Sequence, residues 1–384
     1  MPVNTNDQNT LLTDIEVVQR IFAHIDNSTT DLGKQSWREP TANYRSKARL
    51  EAELDILQSR SIVFCPSSAL AKIGDYVARD AATVPLIAVR GLDGVIRAFR
   101  NACRHRGVKL AEGQGCARAL VCPYHGWAYN LNGSLLSIPH EDGFPDVDKA
   151  TRGLVEVACF ESNGLVFINQ NPQANIEQDI APIPHLIPEH YRLLNSTRQV
   201  VKANWKLYLE SSLEGYHIRQ THKRTFFPVQ YDNLTVIEAF GENSRVTFPY
   251  QAIEGLRHNK ASDISVDGRL TYVYHLFPNV VISTFPGCMQ VNVLEPIDEA
   301  TTEQHTYLIS AIGEHDTARL DAISEGQEFA AKGAVEDLQI VLSAQKGLAS
   351  EANEFLEFGL FESAIVRLHT HLAKEFERVS KAKG

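Results

Sequence analysis

The spacing of apolar residues changes along this chain from a helical period to an alternating one. Apolar residues fall three or four positions apart over 11–25, which predicts an amphipathic helix, and a second helix is expected around 47–58. From about 60 to 168, short strands are separated by Gly, Pro and Asp, with hairpins predicted across 92–94 and 132–133. This region is expected to be a small antiparallel β domain.

The second half of the chain combines long helical segments with alternating sequence. A helix is predicted at about 203–217, β-rich sequence at 234–312, and two closing helices at about 326–347 and 350–379. A sheet packed against long helices is an α+β domain.

Length, charge and cysteine usage narrow the class of protein. With 384 residues the chain can hold two cores, and its net charge of −10 argues against a nucleic-acid or anionic-membrane partner. No apolar run approaches the roughly 18–20 residues of a membrane span. The first ten residues lack the basic start and apolar stretch of a secretory signal, and the cysteines show no disulfide-like spacing. A cytoplasmic location is expected.

Two Cys–His pairs lie in Gly/Pro-flanked stretches, at Cys103 with His105 and at Cys122 with His125. Two thiolates and two imidazoles are the ligand set of a Rieske [2Fe–2S] centre. The alternative is a structural zinc site. Cys-x-His is a poor zinc-finger half-site, however, and no His-x3-His follows, so the pattern favours the cluster.

A second group of candidate ligands lies near the predicted helix 203–217. Glu214 and His217 are three residues apart, so on a helix they share a face. His217 and His222 are five apart, about 140° on a continuous helix. Both histidines can reach one ion only if the helix ends near Ile218.

The third ligand must come from elsewhere in the chain. Asp337 lies among small and apolar residues of a predicted helix, where an unpaired carboxylate would be costly. With His217 and His222 it would complete the facial triad of non-haem Fe(II) oxygenases. Glu336 is the competing ligand, or else a solvated charge on the helix surface.

Three separated segments resemble one family. CRHRG with CPYHGWAYNLNG resembles the Rieske motif of the Rieske non-haem iron, or ring-hydroxylating, oxygenase α subunits. NWK followed by E-x3-E-x2-H-x4-H resembles their catalytic-domain signature, and EDLQIVLSAQKGL resembles the segment that supplies their Asp ligand. The resemblance spans roughly 40–380.

The resemblance implies one cluster and one mononuclear iron per chain, the iron held by His217, His222 and Asp337. It implies N-terminal helices (1–45) packing on the catalytic domain, a Rieske domain (46–170) and a helix-grip catalytic domain (171–384). Electrons would come from a ferredoxin or flavin reductase, because the chain lacks a GxGxxG fingerprint. A head-to-tail homotrimer is also implied.

Two positions depart from the family pattern. Glu214 stands where the family usually has Asp, which links the first iron-ligand histidine to a cluster histidine of the neighbouring subunit. Some members acting on quaternary ammonium compounds such as carnitine also carry Glu there. Ser211 stands where many members have Asn.

The expected function is that of a terminal oxygenase that hydroxylates or demethylates a small organic molecule, with an aromatic compound the first expectation. A quaternary ammonium substrate and a pure Rieske electron carrier are the alternatives. Aromatic residues that could line a pocket, or equally belong to the core, are Phe226, Phe227, Tyr250, Tyr272, Phe277 and Phe285. Cationic residues that could orient an anionic substrate are Arg219, Lys223 and Arg224.

Overall fold

A computed structural model of the chain describes residues 11–260, 263–311 and 317–383. The described residues form two compact units, one from Leu54 to Leu193 and the other made of the residues up to Glu53 together with those from Leu194 onward. The unit boundaries therefore lie at 53/54 and 193/194, whereas 45/46 and 170/171 were expected from the sequence.

The described helices and strands are as follows. The helices are α1 (Asp14–Asn27), α2 (Lys47–Ser59), α3 (Ile176–Asp179), α4 (Trp205–Ser211), α5 (Ile218–Thr221), α6 (Thr317–Ala349) and α7 (Ser363–Lys383). The strands are β1 (Trp37–Pro40), β2 (Ile62–Pro66), β3 (Asp75–Ala81), β4 (Val84–Arg90), β5 (Ile96–Arg100), β6 (Gly113–Cys116), β7 (Leu120–Val121), β8 (Ala128–Tyr129), β9 (Leu135–Ser137), β10 (Glu156–Ser162), β11 (Leu165–Asn169), β12 (Arg192–Val201), β13 (Val236–Phe240), β14 (Asn243–Pro249), β15 (Leu270–Leu276), β16 (Val280–Phe285), β17 (Cys288–Asp298), β18 (Thr301–Ser310) and β19 (Phe355–Phe358).

The unit from Leu54 to Leu193 contains two antiparallel sheets. Seven strands pair in the order β2-β11-β10-β5-β4-β3-β6, and β7-β8-β9 form a smaller sheet. The predicted hairpins are confirmed as β4–β5 and β8–β9, which turn at Gly94 and Gly133 with φ of 79° and 85°. Both glycines adopt the left-handed conformation that other residues disfavour. Cys103 and Cys122 belong to the core of this unit, with Phe99, Trp127, Tyr129 and Leu131.

The other unit is built on a seven-stranded antiparallel sheet. Its strand order is β12-β18-β17-β16-β15-β14-β13. Helices α4 and α7 pack against the sheet through one apolar cluster, whose members include Trp205, Leu209, Leu213, Val246, Val273, Val281, Leu294, Ile365, Leu368 and Leu372. The α+β class and the helix-grip arrangement are confirmed.

The NWK sequence fixes the start of α4. The Asn204 side chain accepts a hydrogen bond from the Lys206 backbone N–H (3.0 Å) and donates one to the Glu299 carbonyl (2.8 Å). The Trp205 indole N–H and the Lys206 ammonium both donate to the buried carboxylate of Glu53, each at 2.7 Å. These contacts anchor the helix that leads into the histidine segment.

Two helix predictions are wrong in part. The helix expected at 203–217 ends at Ser211 and resumes only as α5. The helix expected at 350–379 starts at Ser363, because residues 355–358 form β19, which pairs with β1. Trp37 faces Phe358 in this pairing, which joins residues more than 300 positions apart in the chain.

Candidate metal centres

The two Cys–His loops have the same backbone hydrogen-bond pattern. The Cys103 N–H donates to the Val108 carbonyl (2.9 Å), and the Cys103 carbonyl accepts from the Gly107 N–H (2.8 Å). Cys122 makes the same two bonds with Trp127 (2.8 Å) and Gly126 (3.0 Å). Both glycines have φ of 76°. A side chain at either glycine would strain the turn, so the glycines make these two matched loops possible.

The loops bring two buried thiols and two imidazoles together. The His105 and His125 rings lie 4.8 Å apart, and Trp127 stacks on His105 at 5.0 Å. The Nδ1 atoms of both histidines are buried and lack a hydrogen-bond partner among the described residues. A buried ring nitrogen without a partner is costly, and ligation to a metal would satisfy it. Burial raises the pKa of the Cys103 thiol, whereas burial, followed by the Arg106 charge, lowers the pKa of His125 and favours its neutral, ligating form.

The donor geometry suits a cluster better than a single zinc ion. Among the described residues, the only group of at least three His, Cys, Asp or Glu residues with donor atoms within 4.8 Å of one another is His217, His222 and Asp337. The four loop donors therefore do not converge on one ion, as a mononuclear zinc site requires. All six cysteines are free thiols.

The second centre forms where the chain leaves α4. Between Ser211 and Ile218 the chain turns, so Glu214 and His217 do not share a face of one helix. Their side chains meet nonetheless: the Glu214 carboxylate accepts from the Tyr216 and His217 backbone N–H groups and from His217 Nδ1. Because the carboxylate takes these backbone donors, it fixes the turn that leads into His217, and the short helix α5 then places His222 beside His217.

Three donor atoms converge on one point. His217 Nε2 lies 3.2 Å from His222 Nε2, and Asp337 Oδ1 lies 3.4 and 2.9 Å from them. Ligands about 2.1 Å from an ion and 90° apart lie about 3 Å from one another. The spacing therefore suits three donors that would hold one ion together.

Carboxylates on the outer side hold both histidines. His217 Nδ1 donates to Glu214, and His222 Nδ1 donates to Glu336 Oε2 at 2.9 Å. Since carboxylates only accept, these bonds place hydrogen on Nδ1 and turn both Nε2 atoms inward. Glu336 also accepts from Thr225 Oγ1 (2.5 Å). Its carboxylate therefore lies at the Nδ1 side of the His222 ring, whereas the Asp337 carboxylate lies at the Nε2 side. Neither sequence hypothesis for Glu336 anticipated this contact.

The charged groups of this centre shift the pKa values of His217 and Asp337. Burial alone would lower the pKa of His217, but the Asp337 and Glu214 carboxylates outweigh it and raise that pKa to about 10. Burial alone would raise the pKa of Asp337, but the hydrogen bonds from His217 and His222 outweigh burial and lower it. The two carboxylates thus favour a positive charge at the position where a cation would bind.

The triad lies at a cavity of about 170 Å³ in the same unit. Its lining includes the predicted Phe226, Tyr250 and Phe285, and also Ser211, whereas Phe227, Tyr272 and Phe277 lie outside it. Lining residues that sequence analysis missed are Tyr208, Phe248, Gln230, Gln290 and Asn292. No Lys or Arg of the described residues lines the cavity, so Arg219, Lys223 and Arg224 do not reach it.

One unit of the chain carries two Cys–His loops, and the other carries two histidines and one carboxylate around one point. This combination defines a class of iron-dependent oxygenases. Family models agree: residues 60–161 match the Rieske [2Fe–2S] domain, and residues 188–377 match the catalytic domain of the ring-hydroxylating alpha subunit. Of the described helices, none combines the length and hydrophobicity needed to cross a bilayer.

Curated relatives cover almost the whole chain. The carnitine monooxygenase oxygenase subunit of Escherichia coli K12 is 30% identical over 371 residues, covering 90% of this chain and 95% of the relative. The large oxygenase component of the 2,4-dinitrotoluene dioxygenase system of Burkholderia sp. RASC is 29% identical over 314 residues, 69% of each chain. A solved quaternary ammonium Rieske monooxygenase, described for carnitine oxidation and inter-subunit electron transfer, has a TM-score of 0.75 at 25% identity and covers 88% of this chain and 95% of its own.

The chain belongs to the Rieske non-haem iron oxygenases, as the α, or terminal oxygenase, subunit. Its cofactors are a Rieske [2Fe–2S] cluster and a mononuclear iron. It takes electrons from a separate reductase and uses O2 to oxidise a small organic substrate.

Proposed function

We propose that this chain is the oxygenase subunit of a monooxygenase that acts on a small quaternary ammonium compound. The observation that carries the proposal is a triad at an aromatic cavity whose described lining contains no lysine or arginine. Aromatic faces attract cations placed within about 6 Å of the ring centre. A relative that spans almost the whole chain is a carnitine monooxygenase subunit, which supports the same substrate class.

In this proposal Cys103, Cys122, His105 and His125 hold the cluster, and His217, His222 and Asp337 hold the iron. Bound at this triad, Fe(II) supplies O2 activation and keeps coordination positions open. Glu214 and Glu336 orient the two histidines through their Nδ1 atoms. The aromatic walls exclude water and position the carbon next to the charged nitrogen. The free thiols support a cytoplasmic location.

Glu214 also links the two kinds of centre in a homotrimer. A ring of three copies placed head to tail uses every cluster once. In such a ring the Glu214 carboxylate accepts a hydrogen bond from His217 of its own chain and another from His125 of the neighbouring copy. A carboxylate that contacts both imidazoles gives a short polar connection between cluster and iron.

The substrate test compares charged and neutral molecules of the same shape. Choline, glycine betaine and carnitine are supplied with a surrogate reductase and NADH, beside 3,3-dimethylbutan-1-ol, the uncharged isostere of choline. We expect NADH oxidation coupled to product formation with at least one ammonium compound. Choline should bind about 10-fold more tightly than its isostere, the effect of one desolvated cation–π contact.

The second candidate substrate class is a one-ring aromatic compound. The apolar part of the lining, which includes Val273 and Val281, supports it, as does the dinitrotoluene dioxygenase relative. An engineered cavity of about 150 Å³ in another protein holds benzene, so the size is suitable. Coupled product from toluene or nitrotoluene, with no ammonium compound oxidised, would overturn the first proposal in favour of this one.

The cluster assignment predicts an effect of Tyr129 on the reduction potential. Its hydroxyl accepts from the Arg104 N–H (2.9 Å) and lies 3.3 Å from Cys103 Sγ, so its own hydrogen can point at the sulfur. Such a bond stabilises the more negative, reduced cluster. Tyr129→Phe should lower the potential by about 60 mV, equivalent to a bond of about 1.4 kcal/mol.

Protein-film voltammetry measures this potential, and Tyr124→Phe is the matched control. The Tyr124 hydroxyl contacts Arg106 (3.2 Å) and is exposed. A Tyr129→Phe potential equal to that of the wild type would contradict the assigned bond.

A further inference from the structure

The helix face that carries Asp337 has small side chains for two turns before it. Ala330, Gly333 and Ala334 precede Asp337 by seven, four and three residues, so they lie on the same side of α6. Ala330, Ala334 and Asp337 line the cavity. The side chains on this side of α6 between Ala330 and Asp337 are therefore no larger than a methyl group.

The ring of Phe226 occupies the space that Gly333 leaves. A Cβ at Gly333 would lie 2.2 Å from Phe226 Cζ and 2.4 Å from Cε2, far inside van der Waals contact. The same ring packs at 4.5 Å from the His222 ring and at 5.3 Å from the Phe329 ring. Phe226 is thus seated directly on the helix backbone, next to a candidate iron ligand.

We propose that Gly333 is a specificity-determining residue that sets the width of the substrate cavity by allowing Phe226 to lie against α6. The His222 and Phe329 rings pack on two sides of Phe226, and the α6 backbone lies against a third side. A displaced Phe226 ring therefore cannot move in these directions. The remaining direction leads into the cavity, which Phe226 already lines. A methyl group at position 333 therefore narrows the cavity without touching the metal ligands.

The test is Gly333→Ala, with Gly326→Ala and Gly347→Ala as matched controls. All three glycines lie in α6, but a Cβ at 326 or 347 meets no atom within 4 Å. Each control gains the same helix propensity without displacing a ring. The probes are tetramethylammonium, choline and carnitine, which increase in size. Their binding is followed by the change each causes in the EPR signal of the ferrous–nitric oxide complex, and turnover is measured in parallel.

We expect Gly333→Ala to weaken carnitine binding by about 10-fold or more, the discrimination that one methylene gives in an apolar pocket. Tetramethylammonium should change by less than about twofold, with iron content unchanged. Phe226→Leu removes one aromatic ring for every ammonium probe, so the readout is the ratio of carnitine to tetramethylammonium affinity. This ratio should return to the wild-type value when Phe226→Leu is added to Gly333→Ala, and it should exceed that value in Phe226→Leu alone. Equal weakening for all probe sizes, no weakening at all, or no restoration in the double variant would each overturn the proposal.

This inference depends on the cavity and not on the substrate class. If the wild-type protein binds no ammonium compound, benzene, toluene and indole form the graded series, with the same order of effects expected. Failure of the ammonium series in the wild type refutes the proposed function. Failure of size discrimination with a series that does bind refutes the role of Gly333.

Discussion

Asp337→Ala is expected to remove the mononuclear iron and reduce turnover by more than about 100-fold, while the Rieske EPR signal is retained. The side chain supplies one of three donors that converge on a single point, since its Oδ1 lies 3.4 Å from His217 Nε2 and 2.9 Å from His222 Nε2. Two histidines alone hold Fe(II) weakly. The cluster loops belong to the other unit and to a different core, so their spectrum should not change.

The adjacent carboxylate provides the matched control for this variant. Glu336→Gln removes the negative charge behind His222 and leaves only one acceptor oxygen there, but it keeps all three ion-facing atoms. Its iron affinity should fall by roughly 10- to 100-fold and recover when excess Fe(II) is added. Iron content is measured by mass spectrometry alongside the EPR signal. An iron-loaded, active Asp337→Ala variant together with an iron-free Glu336→Gln variant would show that the ligand is the other acid.

Glu214→Gln, loaded with excess Fe(II) as for Glu336→Gln, is expected to hold both metals and keep the oligomeric state but to slow electron transfer from cluster to iron by about 100-fold. The carboxylate accepts from His217 Nδ1 and from two backbone N–H groups in its own chain. Glutamine has one acceptor oxygen, and its amide nitrogen can only donate. It therefore cannot satisfy these donors and also accept a hydrogen bond from His125 of a neighbouring copy.

Single-turnover oxidation of the pre-reduced cluster, with substrate and O2, measures this step. Glu214→Asp should recover part of the rate, because aspartate is the usual family residue but has a shorter reach. Glu362→Gln is the control, since this nearby carboxylate accepts from the Gly359 N–H and glutamine can do the same. A wild-type rate in Glu214→Gln, or a monomer by light scattering that still turns over, would refute the inter-subunit bridge.

Features set by short-range spacing were predictable from the sequence. The hairpins at Gly94 and Gly133 follow from turn residues between strands, and both are confirmed. The approach of His217 to His222 was expected to need a helix that ends near Ile218; instead α4 ends at Ser211, and the short helix α5 lies between the two histidines. Helical periodicity does not reveal that end, because the Glu214 side chain competes for the backbone donors that would continue the helix.

Long-range contacts were not predictable in the same way. The pairing of Trp37–Pro40 with Phe355–Phe358 joins the two ends of the chain, and neither segment alternates strongly enough to indicate a strand. The contact of Glu336 with His222 depends on how α6 lies against the turn after α4. The place of Phe226 on Gly333 likewise depends on packing between distant segments. Such contacts become visible only when the tertiary structure is known.

The central claim is that one chain holds two different iron centres. Its most direct test is the iron content of the purified protein, resolved by Mössbauer spectroscopy into cluster and mononuclear iron. We expect about three iron atoms per chain, two in a Rieske cluster with mixed thiolate and imidazole ligation and one as high-spin Fe(II). A colourless zinc protein, or two iron atoms per chain with no mononuclear signal after incubation with Fe(II), would contradict it.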